Sequence, residues 1–263
     1  MGTLKLKYKR VSVTEEYGQL SSLNTLIPKE FKQFNAALLG LGELKKEATV
    51  TNALAAVFDL EGFTDFCSQI DPQLVVPEFL SDFMAWLFES ISAKFTEKQT
   101  KEVVRIWGSL PFFGKFTGDG VLFLWDTDLS GGVTGIGHIA WNLKDICEQY
   151  SDDLQPRLTD SLAKTPNRLR VGIARGQVLS VGDGNDFVGP CINMAARLQK
   201  LGSLSFAVSR RGFDPKICFK GRKKHLVLKK LPIRGVGEDE PVLLLKKEFD
   251  ALSDEEKAKF SAN

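Results

Sequence analysis

Two aspartates stand at points in the sequence where one β-sheet could bring them together. The apolar run "AVFDLEGFT" at 56–64 contains Asp59 at its end, and Asp119 occupies a Gly-Asp-Gly turn between two later predicted strands. Converging carboxylates suit a hard divalent cation such as Mg²⁺ or Mn²⁺. Each acid alone also fits an ordinary structural role, because an aspartate can cap a helix and Asp-Gly is a common turn signal.

The apolar run breaks directly after Asp59, and this break predicts the start of a helix. Gly62, Phe63 and Thr64 would then present free backbone N–H groups at the positive end of the helix dipole. A helix start of this kind can hold a phosphate group against a cation bound at Asp59.

Cationic and amide side chains farther along the chain could bind the rest of a phosphorylated ligand. Asn193 and Arg197 are four residues apart on the helix predicted after Gly189, so they share one face. A solvated face would explain them too, but a single arginine among small apolar residues is better explained by a charged partner. Arg234, in "LPIRGVGE", is a third candidate, although an exposed arginine is common.

The composition argues against several classes of protein. The 263 residues are 43% hydrophobic, which is enough for one globular domain with a sizeable core. A net charge of +2 gives no long-range field for nucleic acid or an anionic membrane, and the basic stretch 220–230 alternates as a solvated edge strand does. The 4 cysteines form no CxxC pair and there are only 2 histidines, so carboxylates must supply any metal site.

The sequence contains no recognisable targeting segment. "MGTLKLKYKR" lacks the apolar core and cleavage site of an export signal, and Leu6 stands where myristoylation requires Ser or Thr. The longest apolar runs are far below the roughly 20 residues that span a bilayer. We therefore expect a cytoplasmic protein that binds neither membrane nor nucleic acid.

Strand and helix patterns interleave through the chain in the order βαββαβ with added strands, which predicts one α+β domain. The pattern predicts a helix over 27–41 with Pro28 in its first turn, and a long amphipathic helix from Pro77. "VVRIWG" and "VLFLWD" are predicted as neighbouring strands, and "LRVGIARGQVLSVGDG" as a strand, a turn and another strand. "SDEE" at 253–256 is a capping box that predicts a C-terminal helix.

Three segments, in this order, resemble the motifs of class III nucleotidyl cyclase catalytic domains: "FDLEGFT" at 58–64, "KFTGDG" at 115–120 and "DFVGPCINMAARL" at 186–198. Each motif is weak alone, whereas their order and the Asn-x-x-x-Arg spacing make the set specific. The resemblance covers residues 50–247 as the catalytic domain, with 1–49 as an N-terminal appendage and 248–263 as a C-terminal helix. It implies a ferredoxin-like α+β core within a single domain.

The resemblance also implies a role for each matching residue. Two divalent metal ions, Mn²⁺ or Mg²⁺, would be bound by Asp59, Asp119 and the Leu60 carbonyl. The ribose 3′-OH of a nucleoside triphosphate would attack the α-phosphorus and release pyrophosphate. The remaining roles are ribose orientation by Asn193, transition-state stabilisation by Arg197, phosphate binding by Arg234 in place of the family's usual lysine, and base reading by Lys115 and Asp186. Because such sites form between two subunits, the resemblance implies a homodimer.

The base that is cyclised is less determined, because Lys115 as donor and Asp186 as acceptor suit adenine, cytosine and uracil. Phe187 stands where adenylate cyclases usually carry a smaller aliphatic residue, and Thr117 replaces an apolar residue, so a smaller and more polar pocket is expected. These features resemble the stand-alone bacterial pyrimidine cyclases of anti-phage defence, whose product activates a separate cyclic-nucleotide-binding effector. UTP is the expected substrate; the alternatives are an adenylate or cytidylate cyclase and a degenerate cyclase-homology module that senses nucleotide.

Overall fold

The structure is a computed structural model that describes residues 8–14, 20–25, 27–33, 35–43, 47–159 and 164–260. The chain forms two compact units. Unit 1 consists of Met1–Val50 and Leu179–Val188, and unit 2 consists of Thr51–Val178 and Gly189–Asn263. No helix among the described residues is long and apolar enough to cross a membrane.

Strands and helices alternate along much of the chain. The strands are β1 (Lys9–Thr14), β2 (Leu20–Thr25), β3 (Val50–Glu61), β4 (Thr96–Gln99), β5 (Val104–Ile106), β6 (Phe113–Phe116), β7 (Gly120–Asp126), β8 (Arg168–Val181), β9 (Asp186–Val188), β10 (Phe206–Ser209), β11 (Leu226–Ile233) and β12 (Gly237–Leu245). The helices are α1 (Pro28–Phe31), α2 (Phe63–Phe66), α3 (Pro72–Phe95), α4 (Gly132–Gln149), α5 (Gln155–Thr159), α6 (Pro190–Leu198), α7 (Pro215–Cys218), α8 (Lys246–Ala251) and α9 (Asp254–Lys257).

Unit 1 contains an antiparallel pair, β1 and β2, in which Lys9 lies opposite Thr25. The predicted helix over 27–41 is wrong in length: α1 begins at Pro28 as expected but ends at Phe31, and a 3-10 turn follows at Ala36–Leu39. Asn35 explains the interruption, because its side chain accepts a hydrogen bond from the Ala37 N–H and donates one to the Lys32 carbonyl.

The central sheet has the strand order β11-β12-β10-β8-β3-β7-β6. Its segment β8-β3-β7-β6, with α3 after β3 and α4 after β7, is the order of a βαββαβ core. The mixed α+β class predicted from the sequence is therefore confirmed. β11 stands at one end of this order, as the basic stretch 220–230 predicted, but the strand begins only at Leu226 and Lys223–His225 form a 3-10 turn.

Both faces of β3 are buried, one in the main hydrophobic core and the other on the opposite side of the sheet. Leu54, Ala56 and Phe58 belong to the main hydrophobic core, together with apolar residues of α3 and α4. The alternate residues, from Ala53 to Asp59, therefore face the opposite side of the sheet. There α6 approaches β8 so closely that a Cβ on Gly172 would lie 2.1 Å from the Ala195 carbonyl oxygen.

Three features predicted from the sequence are wrong: a helix start, a strand pairing and a turn. The long helix α3 begins at Pro72, which takes the first helical position, so Pro77 lies inside the helix. "VVRIWG" does not join the central sheet, because its β5 pairs with β4 in a separate hairpin and β6 is the neighbour of β7. No turn interrupts β8, and Gly176 instead allows contact with α6, since a Cβ there would lie 3.1 Å from the Cys191 Cβ.

The β3–β7 pairing depends on a glycine, and this gives a stability prediction. A Cβ on Gly120 would lie 1.9 Å from the Phe58 carbonyl oxygen, so Gly120→Ala must push β7 away from β3. We expect urea denaturation to show a loss of about 1–3 kcal/mol in the free energy of unfolding. Gly114→Ala on β6 is the matched control, because its methyl group would meet ring atoms of Phe123 and lie 4.0 Å from the Leu122 carbonyl oxygen. Equal stability of the two variants would contradict this packing.

Candidate functional site

The β3–β7 pair brings Asp59 and Asp119 to neighbouring positions. Asp59 lies opposite Gly120 in the strand register, and Asp119 immediately precedes Gly120. The Leu60 N–H donates to the Asp119 carbonyl at 2.9 Å, and the Thr117 N–H closes the turn by donating to the Gly120 carbonyl at 2.9 Å. Two carboxylates and several backbone carbonyls thus share one end of the pair, as the sequence predicted.

Asp59 is almost fully buried, which requires a compensating cation. Its residue surface is 3% exposed, and it lies on the sheet face that α6 covers. A buried carboxylate without a partner would be strongly unfavourable. Asp119, in contrast, is half-buried at the turn.

Arg170 on β8 supplies that cation, and the sequence reasoning missed it. Its Nε donates to Asp59 Oδ2 at 3.1 Å, and its Nη2 donates to the same oxygen. A third nitrogen, Nη1, donates to the Gly202 carbonyl at 3.4 Å. The available signal was Arg170 itself, a charged residue between the buried residues Leu169 and Val171.

A second acid–arginine pair lies next to the first. Arg168, two residues before Arg170 and thus on the same strand face, places Nε 2.5 Å from Glu61 Oε2. Arg168 Nη1 also donates to the Ser203 carbonyl. The two arginines of β8 therefore connect the acidic end of β3 to the loop that follows α6.

Burial and the neighbouring charged residues together set the direction in which the pKa of Asp59 shifts. Burial, the strongest influence, raises the pKa of this carboxyl above its usual value of 3.8. The hydrogen bonds and charge of Arg170 oppose this rise, the charge of Asp119 adds to it, and the charge of Lys200 opposes it weakly. A divalent cation would favour the ionised form in the same way as Arg170 does.

The residues after Asp59 form the predicted helix start. Gly62, at φ 85°, precedes the short helix α2, whose first N–H groups have no intrahelical acceptor. The Phe63 ring is buried against Phe66 and Phe79, at centroid distances of 5.8 and 6.2 Å, so only its backbone is available to a ligand. Thr64 is exposed.

Helix α6 has a buried apolar face, and the two site residues predicted from the sequence, Asn193 and Arg197, lie outside that face. Cys191, Met194, Ala195 and Leu198 are buried, whereas Asn193 and Arg197 are exposed one turn apart.

The Arg197 guanidinium lies beside the β11–β12 turn, because a Cβ on Gly235 would be 3.8 Å from its Nη2. The exposed Arg234 precedes that glycine, so two of the predicted cations are neighbours on one surface. Among the described residues, neither the Asn193 nor the Arg197 side chain forms a hydrogen bond or ion pair with Asp59 or Asp119.

The predicted base-reading residues fall in different units and are described separately. In unit 2, Lys115 is half-buried on β6 opposite Leu122, and Thr117 is exposed at the turn. In unit 1, Asp186 and Phe187 are half-buried on β9, and Asp186 Oδ1 accepts a hydrogen bond from the Phe187 N–H at 2.9 Å. The pairing of Lys115 with Asp186 on a base stays a prediction.

Metal donors at this site are few. Within the part of the chain that the structure describes, no group of three or more His, Cys, Asp or Glu residues is arranged to hold a metal ion. The oxygens of Asp59, Asp119 and the Leu60 backbone are nevertheless the hard donors that Mg²⁺ and Mn²⁺ prefer, and a triphosphate could complete such a set. The residues present therefore fit a divalent cation shared with an oxygen-rich ligand.

Comparisons with known proteins find similarity in structure only. No family model matches the sequence, and no curated protein matches it. The adenylyl cyclase CyaB from P. aeruginosa has a similar structure, with a TM-score of 0.53 and 13% identity over 76% of this chain and 95% of that chain. A bacterial light-regulated adenylyl cyclase has a TM-score of 0.50 and 16% identity over 76% of this chain and 53% of that chain.

Identities this low show the fold and leave the activity open. The match to CyaB covers nearly the whole of that chain, so the similarity concerns the complete architecture rather than one motif. The fold of this chain is that of class III cyclase catalytic domains.

Proposed function

We propose that this protein is a nucleotidyl cyclase, which converts a nucleoside triphosphate to the 3′,5′-cyclic monophosphate and pyrophosphate. The observation that carries the proposal is the pairing of β3 with β7, which places Asp59 and Asp119 together beside Arg170. Paired acids with a neighbouring arginine suit phosphoryl transfer, which needs positioning and charge neutralisation more than covalent chemistry. The shared cyclase fold supports this proposal.

Asp59, Asp119 and the Leu60 carbonyl are proposed to hold two divalent metal ions, Mn²⁺ or Mg²⁺. When bound, these ions would supply Lewis acidity that lowers the pKa of the ribose 3′-OH and neutralises phosphate charge. Burial of Asp59 orients its carboxylate without the entropy cost of an exposed side chain.

Arg170 and the start of α2 are proposed to hold the triphosphate. The Arg170 guanidinium is 15% exposed and already bound to Asp59, so a phosphate beside the metal site would meet a cation fixed in place. Backbone N–H groups at Gly62, Phe63 and Thr64 add donors that require no side-chain movement. These contacts would orient the α-phosphorus for in-line attack.

The exposed face of α6 is proposed to complete the site from a second copy of the chain. Asn193 would orient the ribose, Arg197 would stabilise the charge that develops at the α-phosphorus, and Arg234 would bind the leaving pyrophosphate. The support is that the Arg197 guanidinium has neither a hydrogen bond nor an ion pair with any described residue, including both acids of its own chain. In a homodimer with shared sites, one chain would provide the two acids and the other chain would provide Asn193 and Arg197.

UTP is the proposed substrate, and ATP is the leading alternative, with CTP next. Lys115 as donor and Asp186 as acceptor leave the base open, while the bulk of Phe187 and the polarity of Thr117 favour a pyrimidine. A cyclic pyrimidine nucleotide would then act on a separate binding protein, and a role in anti-phage defence is proposed on that basis.

The test is to incubate the purified protein with Mn²⁺ and each of the four nucleoside triphosphates, and to identify products by mass spectrometry. Cyclic UMP is the expected main product. Cyclic AMP alone would overturn the pyrimidine assignment. No cyclic product from any nucleotide would overturn the enzyme assignment and favour a nucleotide-sensing module.

Mn²⁺ binding should depend on pH through Asp59, and Arg170→Gln should change that dependence. Because burial raises the pKa of Asp59, Mn²⁺ affinity should fall as the pH drops through that raised value. Removing Arg170 raises the pKa further, so the fall should begin at higher pH. At pH values where Asp59 is ionised, the variant should bind Mn²⁺ more tightly, since the competing cation is absent.

Isothermal titration calorimetry over a pH series measures this effect. Arg175→Gln is the matched control, because Arg175 lies on the same strand and its Nη1 donates to the Gly212 carbonyl at 3.4 Å. Superimposable pH profiles for wild type and Arg170→Gln would contradict the proposed coupling between Arg170, Asp59 and the metal.

A further inference from the structure

We propose that a cleft beside the candidate site binds a small amphipathic anion, meaning a molecule with an apolar body and one carboxylate or similar group. The cleft has a volume of about 330 Å³. It lies between the loop 200–202 that follows α6, the end of β11 and the C-terminal helices. No step proposed for nucleotide cyclisation uses it.

The body of the cleft is apolar. Leu201 comes from the loop after α6, Leu231 and Pro232 from β11, and Leu252 and Phe260 from the C-terminal segment. Phe260 is held by an edge-to-face contact with Phe249, with ring centroids 5.5 Å apart. Such a lining favours an aliphatic or aromatic body over a sugar or a free phosphate.

The charged groups at the cleft favour an anion. Lys200 and Lys259 line it, and neither amino group forms a hydrogen bond or an ion pair with a residue that the structure describes. Glu256 is the acid of the lining, and its carboxylate is already engaged: it accepts from the Ser203 hydroxyl at 2.8 Å and from the Ser253 N–H at 3.3 Å. The cleft lining therefore contains two lysine amino groups that can bind an anion, and one carboxylate whose hydrogen bonds are already formed.

The cleft is held open by hydrogen bonds rather than formed by chance packing. Ser253 and Glu256 make the capping box that begins α9, as "SDEE" predicted. Because Glu256 also bonds Ser203, the C-terminal helix and the loop after α6 are fixed to each other. Glu248 binds Ser205 in the same way, accepting from its N–H at 3.0 Å. A preformed cleft binds its ligand without an ordering cost.

The size of the cleft limits the ligand. A volume of about 330 Å³ is at the lower end for small-molecule pockets, which suits a medium-length fatty acid or an aromatic carboxylate. Decanoate therefore serves as the probe, because it combines a flexible apolar body with one carboxylate. Decanol has a similar chain and no charge, and decyltrimethylammonium has a similar chain and a positive charge.

The experiment is calorimetric titration of the full chain with each probe below its micelle concentration. Decanoate should bind at one site per chain, more tightly than decanol, and decyltrimethylammonium should not bind. Lys259→Glu should weaken decanoate binding by about tenfold, since it replaces an attraction with a repulsion. Lys257→Glu is the matched control, two residues earlier at the end of α9, because Lys257 instead donates to the Asp250 carbonyl at 2.8 Å.

Thermal denaturation confirms that both variants are folded. No decanoate binding, equal binding of the cationic probe, or equal losses in the two variants would each overturn the proposal. Binding of decanoate to exposed apolar residues elsewhere, such as Val103 and Trp107 at 58% and 61% exposure, is recognised by its insensitivity to Lys259→Glu and counts against the cleft.

Discussion

Replacing Arg197 by alanine is expected to lower kcat for nucleotide cyclisation by about a thousandfold, with a much smaller change in KM. In the proposed mechanism Arg197 meets charge that develops only in the transition state, and removing such a cation costs roughly 10²–10³ in rate. Its side chain is exposed on α6 and forms no hydrogen bond with any described residue, so alanine removes little from the fold itself.

Steady-state kinetics on wild type and variant measure this effect, with Arg157→Ala as the control. Arg157 is also an exposed helical arginine, and it pairs with Asp153 at 3.3 Å outside the proposed site. The control should keep wild-type kcat. A rise in KM with unchanged kcat for Arg197→Ala would show that the residue only binds the ground state, and would contradict the assigned role.

Mixing the Asp59→Ala and Arg197→Ala proteins is expected to restore activity that neither has alone. If each site takes its acids from one chain and Arg197 from the other, a mixed dimer contains one site with both residues intact. Random exchange in an equal mixture would give about a quarter of wild-type activity, because half of the dimers are mixed and each has one working site.

The complementation assay needs proof that chains exchange, which differently tagged proteins and tandem purification provide. As a control, two variants on the same side of the site, Asp59→Ala and Asp119→Ala, should not complement, since no mixed site is then intact. Purified mixed dimers of Asp59→Ala and Arg197→Ala without activity would show that the sites are not shared between chains.

The parts of the fold that sequence reasoning predicted are those that local patterns specify. Capping signals gave the start of α9 and the glycine-proline start of α6. The basic stretch 220–230 predicted an edge strand, which β11 is from Leu226 onward. These signals act within a few residues, so they do not depend on which element packs on which.

The errors arose where tertiary packing overrides a local signal. Gly176 is consistent with a turn in the sequence, but it lies inside β8 because α6 approaches there. Pro77 is consistent with a helix start, but α3 begins five residues earlier, at Pro72. "VVRIWG" has the composition of a sheet strand, although β5 pairs with β4 alone.

At the candidate site, too, the residues marked by local signals were predicted and the residue that depends on tertiary packing was missed. Asp59 and Asp119 were predicted together because each follows a local signal, the end of an apolar strand and a Gly-Asp-Gly turn, and one sheet can place two such points side by side. Arg170 was missed because its partner lies 111 positions away, and only the contact between β3 and β8 reveals that Asp59 needs a cation. An arginine between two buried apolar residues of β8 was the signal, and it points to an acid elsewhere in the chain.

The most direct test of the central claim measures cyclic nucleotide and pyrophosphate in the same reaction, for wild type and Asp59→Asn, with Mn²⁺ and the preferred nucleoside triphosphate. The proposed mechanism predicts equal amounts of the two products from wild type and neither product above background from the variant. Release of inorganic phosphate instead of pyrophosphate, or equal turnover by Asp59→Asn, would contradict it.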